Sequence, residues 1–183
     1  TIAQKFEIIE TSHTPFNYTG FYEIRNNASN KCVDVTEAST SYGANIQQWD
    51  CNTTEAQSWK FIDKGYGDHE VVNTGSNLLM EVSWGGAQEN IHQWGRHNGQ
   101  AQRWKISNGI NGTVNFTPKS DASECLDVSG NALYSGANIR SIGCDNSSAQ
   151  QFMLIPKNYA QASVAIEAED YTTAYGIIVE SSI

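Results

Sequence analysis

Apolar residues along this chain come in runs of about four to six, rich in Val, Ile, Trp, Tyr and Phe. Gly20-Phe21-Tyr22-Glu23-Ile24, Glu70-Val71-Val72 and Val114-Asn115-Phe116 are typical. Between them lie polar and glycine clusters such as Asn26-Asn27-Ala28-Ser29-Asn30 and Asn111-Gly112. Short β-rich runs bounded by turn residues predict strands and tight connections. No window of about 12 residues carries a 3.6-residue apolar period, so no amphipathic helix is expected.

The runs recur. Cys32-Val33-Asp34-Val35, Gly43-Ala44-Asn45-Ile46-Gln47-Gln48-Trp49 and Ala56-Gln57-Ser58-Trp59 form one copy. Leu79-Met80-Glu81-Val82, Asn90-Ile91-His92-Gln93-Trp94 and Ala101-Gln102-Arg103-Trp104 form a second. Cys125-Leu126-Asp127-Val128, Gly136-Ala137-Asn138-Ile139-Arg140-Ser141-Ile142 and Ala149-Gln150-Gln151-Phe152 form a third. The period is about 46 residues. Self-similarity at a fixed period means one supersecondary unit used repeatedly, none able to bury its apolar face alone. Four short strands per copy predict an all-β, barrel-like domain of threefold character, with few exposed sheet edges.

The cysteines follow the repeat. Cys32 and Cys51 are 19 positions apart, as are Cys125 and Cys144, while the second copy has Leu79 and Arg96 at these places. Residues that appear together in two copies and vanish together from the third predict the disulfides Cys32–Cys51 and Cys125–Cys144. Four buried free thiols are the alternative, and no C-x-x-C pairing suggests zinc. Disulfides point to an oxidising compartment, so to a secreted, periplasmic or cell-surface protein, of which secreted is the expectation.

The formal net charge is −9 and charged residues are 17% of the 183. Acidity without clustered Lys and Arg disfavours nucleic acid and anionic membrane as partners. No apolar run approaches 18 residues, so no transmembrane span is expected. The wealth of Asn, Gln, Ser and Thr suits hydrogen bonding to neutral hydroxyls, although turn-rich β proteins share it. No G-x-S-x-G or H-E-x-x-H occurs, so no catalytic site, metal or cofactor is expected.

Cys-Val-Asp-Val, Ile-Gln-Gln-Trp-Asp-Cys and the closing Gln-x-Trp together resemble the ricin B-type lectin repeat, the β-trefoil of carbohydrate-binding module family 13. The resemblance covers roughly residues 18 to 157. It implies one shallow sugar pocket per repeat: an Asp accepts from sugar hydroxyls, an aromatic packs on the ring face, and a polar side chain completes the contacts. Carried over, repeat one has Asp34, Gln47 and Trp49. An Asn of the family pattern is replaced by Ala56, and Tyr42 is expected to compensate. Repeat two has Glu81, His92 and Trp94, with Trp84 added on a shortened loop. Repeat three has Asp127, with Arg140 and Ile142 in place of the polar partner and the platform. It reads as a degraded site, or as one in which Tyr134 replaces the platform, or in which Arg140 meets an acidic sugar. Gln57, Gln102 and Gln150, with Trp59, Trp104 and Phe152, read as core and turn contacts. His92 and His97 read as surface histidines rather than metal ligands.

The expected organisation is a linker or remnant over 1–18, the trefoil over 19–157, and a linker with the truncated start of a second module over 158–183. Val164-Ala165-Ile166-Glu167-Ala168-Glu169-Asp170-Tyr171 resembles the opening of a family 6 or 35 carbohydrate-binding module, a β-sandwich; a docked tail strand is the alternative. The chain opens on Thr1-Ile2-Ala3-Gln4 and is read as a piece of a longer polypeptide. The resulting expectation is a non-catalytic module that holds a secreted polysaccharide-active enzyme on a galactose- or xylose-type glycan, with the catalytic domain covalently attached. A stand-alone galactose-type lectin and a trefoil used for protein contacts are the alternatives.

Overall fold

Each repeat supplies four strands, because its apolar runs are too short for helices and are closed by turn residues. The computed structural model describes residues 18–83 and 89–157. The expectations for Trp84, for 1–17 and for the segment from 158 fall outside them. Repeat one contains β1 (Gly20–Asn26), β2 (Cys32–Val35), β3 (Ile46–Trp49) and β4 (Trp59–Asp63). Repeat two contains β5 (Asp68–Asn73), β6 (Leu79–Val82), β7 (Glu89–Trp94) and β8 (Trp104–Asn108). Repeat three contains β9 (Val114–Pro118), β10 (Glu124–Val128), β11 (Ala137–Gly143) and β12 (Phe152–Pro156). No α-helix occurs among the described residues, and no helix there is long and apolar enough to cross a membrane.

The first and last strands of each repeat close into a barrel. β1 pairs β4, β4 pairs β5, β5 pairs β8, β8 pairs β9, β9 pairs β12, and β12 returns to β1, all antiparallel. The β2–β3, β6–β7 and β10–β11 hairpins cap one end. β11 joins the other two hairpins by pairing β3 and β7. Closure removes the open edges that would otherwise template aggregation. This is a β-trefoil.

Where the three hairpins meet, Asn45, Asn90 and Asn138 form a ring. Asn45 Nδ2 donates to Asn138 Oδ1 at 2.9 Å, Asn138 Nδ2 to Asn90 Oδ1 at 2.8 Å, and Asn90 Nδ2 to Asn45 Oδ1 at 2.9 Å. Each amide gives once and accepts once, so the ring ties one position of every repeat to both others.

The core is built from the closing aromatics. Trp59, Trp104 and Phe152 are fully buried, with Phe61 and Phe116 beside them. Both indoles satisfy their N–H groups: Trp59 Nε1 donates to Val33 O at 2.9 Å, and Trp104 Nε1 to Met80 O at 3.0 Å. Burying an indole without such a partner would forfeit much of the gain. The disulfides are Cys32–Cys51 and Cys125–Cys144.

In repeat two, Leu79 is buried where the others have cysteine. Arg96 instead reaches the buried Glu70, with Nη2 at 3.1 Å from Oε2. Arg103 and Lys64 approach the other Glu70 oxygen at 3.5 and 3.6 Å. The middle repeat therefore carries an ion-pair cluster where its neighbours carry a covalent bridge.

Candidate functional site

In repeat one, antiparallel register sets Asp34 opposite Gln47 and Cys32 opposite Trp49. Side chains two apart on a strand share a face, so Gln47 and Trp49 stand together beside Asp34. Asp34 is only 5% exposed, whereas Trp49 is 42% exposed. Gln47 Nε2 donates to Asp34 Oδ1 at 3.0 Å, and Gln57 Nε2 donates to Asp34 Oδ2 at 2.9 Å. Gln57 also donates to Asp50 O and accepts from Asn52 N. The closing Gln is thus a clamp that aims the carboxylate, a role its place in an apolar pattern did not reveal. Each carboxylate oxygen has acceptor capacity beyond one donor. Asp34, Gln47 and Trp49 line a cavity of about 390 Å³, together with Thr36, Glu37, Ala38, Asn52, Thr54 and Ala56.

Burial pushes the Asp34 carboxyl above the usual aspartate value, against the opposing bonds from Gln47 and Gln57. The sign follows. A raised folded-state pKa favours the fold below the unfolded value, and that contribution is lost as pH rises through the folded one. For a ligand that donates hydroxyl protons, the ionised carboxylate is the better acceptor. Affinity at this pocket is therefore expected to be flat near neutrality and to fall on acidification, with a midpoint above the ordinary aspartate range. Titrating affinity against pH in the parent and in Asp34→Asn checks this; a midpoint at or below that range would contradict it.

Repeat two repeats the register, with Glu81 opposite His92 and Leu79 opposite Trp94. Gln102 Nε2 donates to Glu81 Oε2 at 2.6 Å, and His97 Nε2 lies 3.0 Å from the same oxygen. His92 Nε2 stands 3.8 Å from Oε1, and its ring stacks on Trp94 at 5.5 Å between centroids. His97, read from sequence as a surface residue, is exposed, and it also holds the carboxylate.

The expectation for Tyr42 needs correcting. Its ring lies 5.4 Å from that of Trp94, in repeat two, and does not complete the repeat-one pocket. The loop carrying it crosses to the next repeat, where Gln93 Nε2 donates to Ser41 O and Gly43 N donates to Gln93 O. A Cβ on Gly43, at φ +78°, would sit 3.3 Å from Cζ3 of Trp94. The corresponding loop of repeat three docks on repeat one: Gln48 Nε2 donates to Tyr134 O at 3.0 Å. Gly136, at φ +91°, abuts Trp49 there. The backbone of the loop carrying Tyr134 is therefore fastened to repeat one. Each of these two loops backs the indole of a neighbouring repeat, and nothing in the loop's own sequence states its direction.

In repeat three, Asp127 faces Arg140 and Cys125 faces Ile142. Arg140 Nε donates to Asp127 Oδ1 at 2.7 Å. Burial raises the Asp127 carboxyl, opposed by the Arg140 bond and charge. The acceptor and the cation are spent on each other, and an aliphatic side chain stands where the other repeats have indole. Among the described residues, Glu23, Cys32 and Cys51 bring three possible metal-ligand atoms within 4.8 Å of one another. The two sulfurs are bonded to one another and offer no thiolate.

The family model described as ricin-type beta-trefoil lectin domain-like matches residues 2–94 and 64–142. The chain belongs to that family. Among solved structures, this ricin-type trefoil is similar to the designed threefold-symmetric protein ThreeFoil, at 26% identity and TM-score 0.73, over 75% of this chain and 99% of that one. It is similar to 1,3Gal43A, an exo-β-1,3-galactanase from Clostridium thermocellum, at 24% identity and TM-score 0.72. That match covers 76% of this chain and 30% of the galactanase, so the trefoil corresponds to under a third of that enzyme. The earthworm R-type lectin C-half, solved in complex with GalNAc, matches at 18% identity and TM-score 0.64, over 75% of this chain and 99% of that one.

Proposed function

We propose that this ricin-type trefoil is a non-catalytic carbohydrate-binding module that holds a polysaccharide-active enzyme on its glycan substrate. The observation that carries the reading is the repeat-one pocket, where a buried carboxylate clamped by two amides stands beside a half-exposed indole. A carboxylate takes hydroxyl donors in charge-assisted bonds, and the C–H face of a pyranose packs on an indole. One without the other would suit many ligands; together they suit a sugar. Repeat two, with Glu81, His92 and Trp94, is the second pocket, while the Asp127–Arg140 pair leaves repeat three without one.

Attachment to an enzyme is supported by the similarity to the galactanase, of whose chain this trefoil covers less than a third. Galactose-type sugars are favoured by that protein and by the GalNAc and lactose complexes among the similar structures. The two disulfides suit a secreted protein. Two shallow pockets on one rigid body raise avidity for a polymer without new contacts.

Affinity electrophoresis against galactan, agarose, xylan, arabinan, laminarin and alginate tests the reading. One polymer is expected to retard the parent. Asp34→Ala and Trp49→Ala are each expected to weaken that retardation about tenfold or more, since a bond to a charged group contributes on the order of 2 kcal/mol. If no polymer retards the parent, the glycan reading is wrong and a protein-contact trefoil replaces it.

A further inference from the structure

The two pockets differ in what lies beside their indoles. In repeat one, the position matching Tyr42 is Ser135, whose hydroxyl accepts from Asp50 N at 3.1 Å. In repeat two, Tyr42 itself leans on Trp94 at a 45° tilt, and Trp94 also stacks on His92 at 20°. Three rings thus run in contact, in centroid steps of 5.4 and 5.5 Å. Such steps are comparable with the advance per sugar along a β-linked glycan. Tyr42 is 64% exposed and Trp94 38%. Contiguous aromatic surface left open in this way marks a contact site.

Resting on the sugar reading above, we propose that repeat two binds two consecutive units of a glycan chain. One unit occupies the Glu81–His92–Trp94 pocket, and the next packs on Tyr42, contributed by repeat one. Tyrosine suits this second position because its ring offers a rigid apolar face and its hydroxyl both donates and accepts. The consequence is selectivity for chain interiors and longer oligosaccharides at repeat two.

Gly95 makes the idea separable. A Cβ there would meet Cζ and Oη of Tyr42 at 2.9 Å. The clash falls on the far end of a side chain that can swing into solvent, so Gly95→Ala evicts the ring and leaves Glu81, His92 and Trp94 in place.

The experiment is calorimetric titration in an Asp34→Ala background, which leaves repeat two as the pocket read. Galactose against β-1,3-galactotetraose, and xylose against xylotetraose, serve as probes. The parent pocket is expected to favour the tetrasaccharide of one series by about three- to tenfold, the scale of one aromatic contact. Gly95→Ala is expected to abolish that preference while the monosaccharide affinity stays unchanged, and Tyr42→Ala to abolish it too. Monosaccharide binding with a length preference untouched in both variants overturns the second subsite alone. Absence of binding by both series overturns the sugar reading of the pocket, and the second subsite with it.

Discussion

Reducing both disulfides is expected to cost the domain about 6 kcal/mol, roughly 3 for each loop of about 20 residues closed by its bridge. Domains of this kind are commonly stable by about 5–15 kcal/mol, so the reduced protein should sit close to unfolding. The loss should reach function as well. Cys32–Cys51 joins the start of β2 to the turn after β3, and so brackets the hairpin that holds Asp34 opposite Gln47. On the proposed sugar reading, affinity at repeat one is expected to fall in mild reductant before the fold is lost. Repeat two should keep its local structure longer, because Arg96 and Glu70 fasten it without sulfur. Urea denaturation with and without reductant, alongside Cys32→Ser/Cys51→Ser and Cys125→Ser/Cys144→Ser, measures each contribution. Unchanged midpoints would show that the barrel alone carries the stability.

Trp59→Ala should be the most damaging single substitution examined by the same denaturation, at about 3–5 kcal/mol. The side chain is wholly buried among Ile24, Phe61 and their neighbours. Its removal leaves a cavity and orphans Val33 O, which now accepts the indole N–H. Trp59 follows the turn that positions Gln57, so the clamp on Asp34 should loosen at the same time. Trp59→Phe is the informative companion. Repeat three already closes on Phe152 at this place, so the ring is expected to be accepted, with only the lost hydrogen bond, about 1–2 kcal/mol, charged against stability. Should alanine cost less than about 1 kcal/mol, the closing aromatics are not the core.

Much of this architecture is legible in the chain because repetition turns weak local signals into strong ones. The strand at 32–35 is short, but its recurrence at 79–82 and 124–128 with the same partners downstream makes threefold closure the simple reading. The disulfides were legible for the same reason, since loss of both cysteines from one copy exposes the pairing. The pocket was legible only as a set of residue types. That Gln57 and Gln102 aim the carboxylates was hidden, because a buried glutamine within an apolar pattern does not name its partner. The crossing of Tyr42 into repeat two was hidden for another reason: its loop meets Gln93 through the loop's own backbone, at Ser41 O and Gly43 N, groups that any loop sequence offers. Arg140 was visible as a departure from pattern, but its pairing with Asp127 required the cross-strand register.

The barrel is sealed by its first and last strands, with Tyr22 opposite Pro156 and Asn26 opposite Phe152. The domain's entry and exit therefore sit side by side. A unit of this kind behaves as a cassette: it can be spliced into a surface loop of a host protein without prising the host apart. It can also be opened at another turn and rejoined at the old ends with a short peptide, keeping every strand pairing.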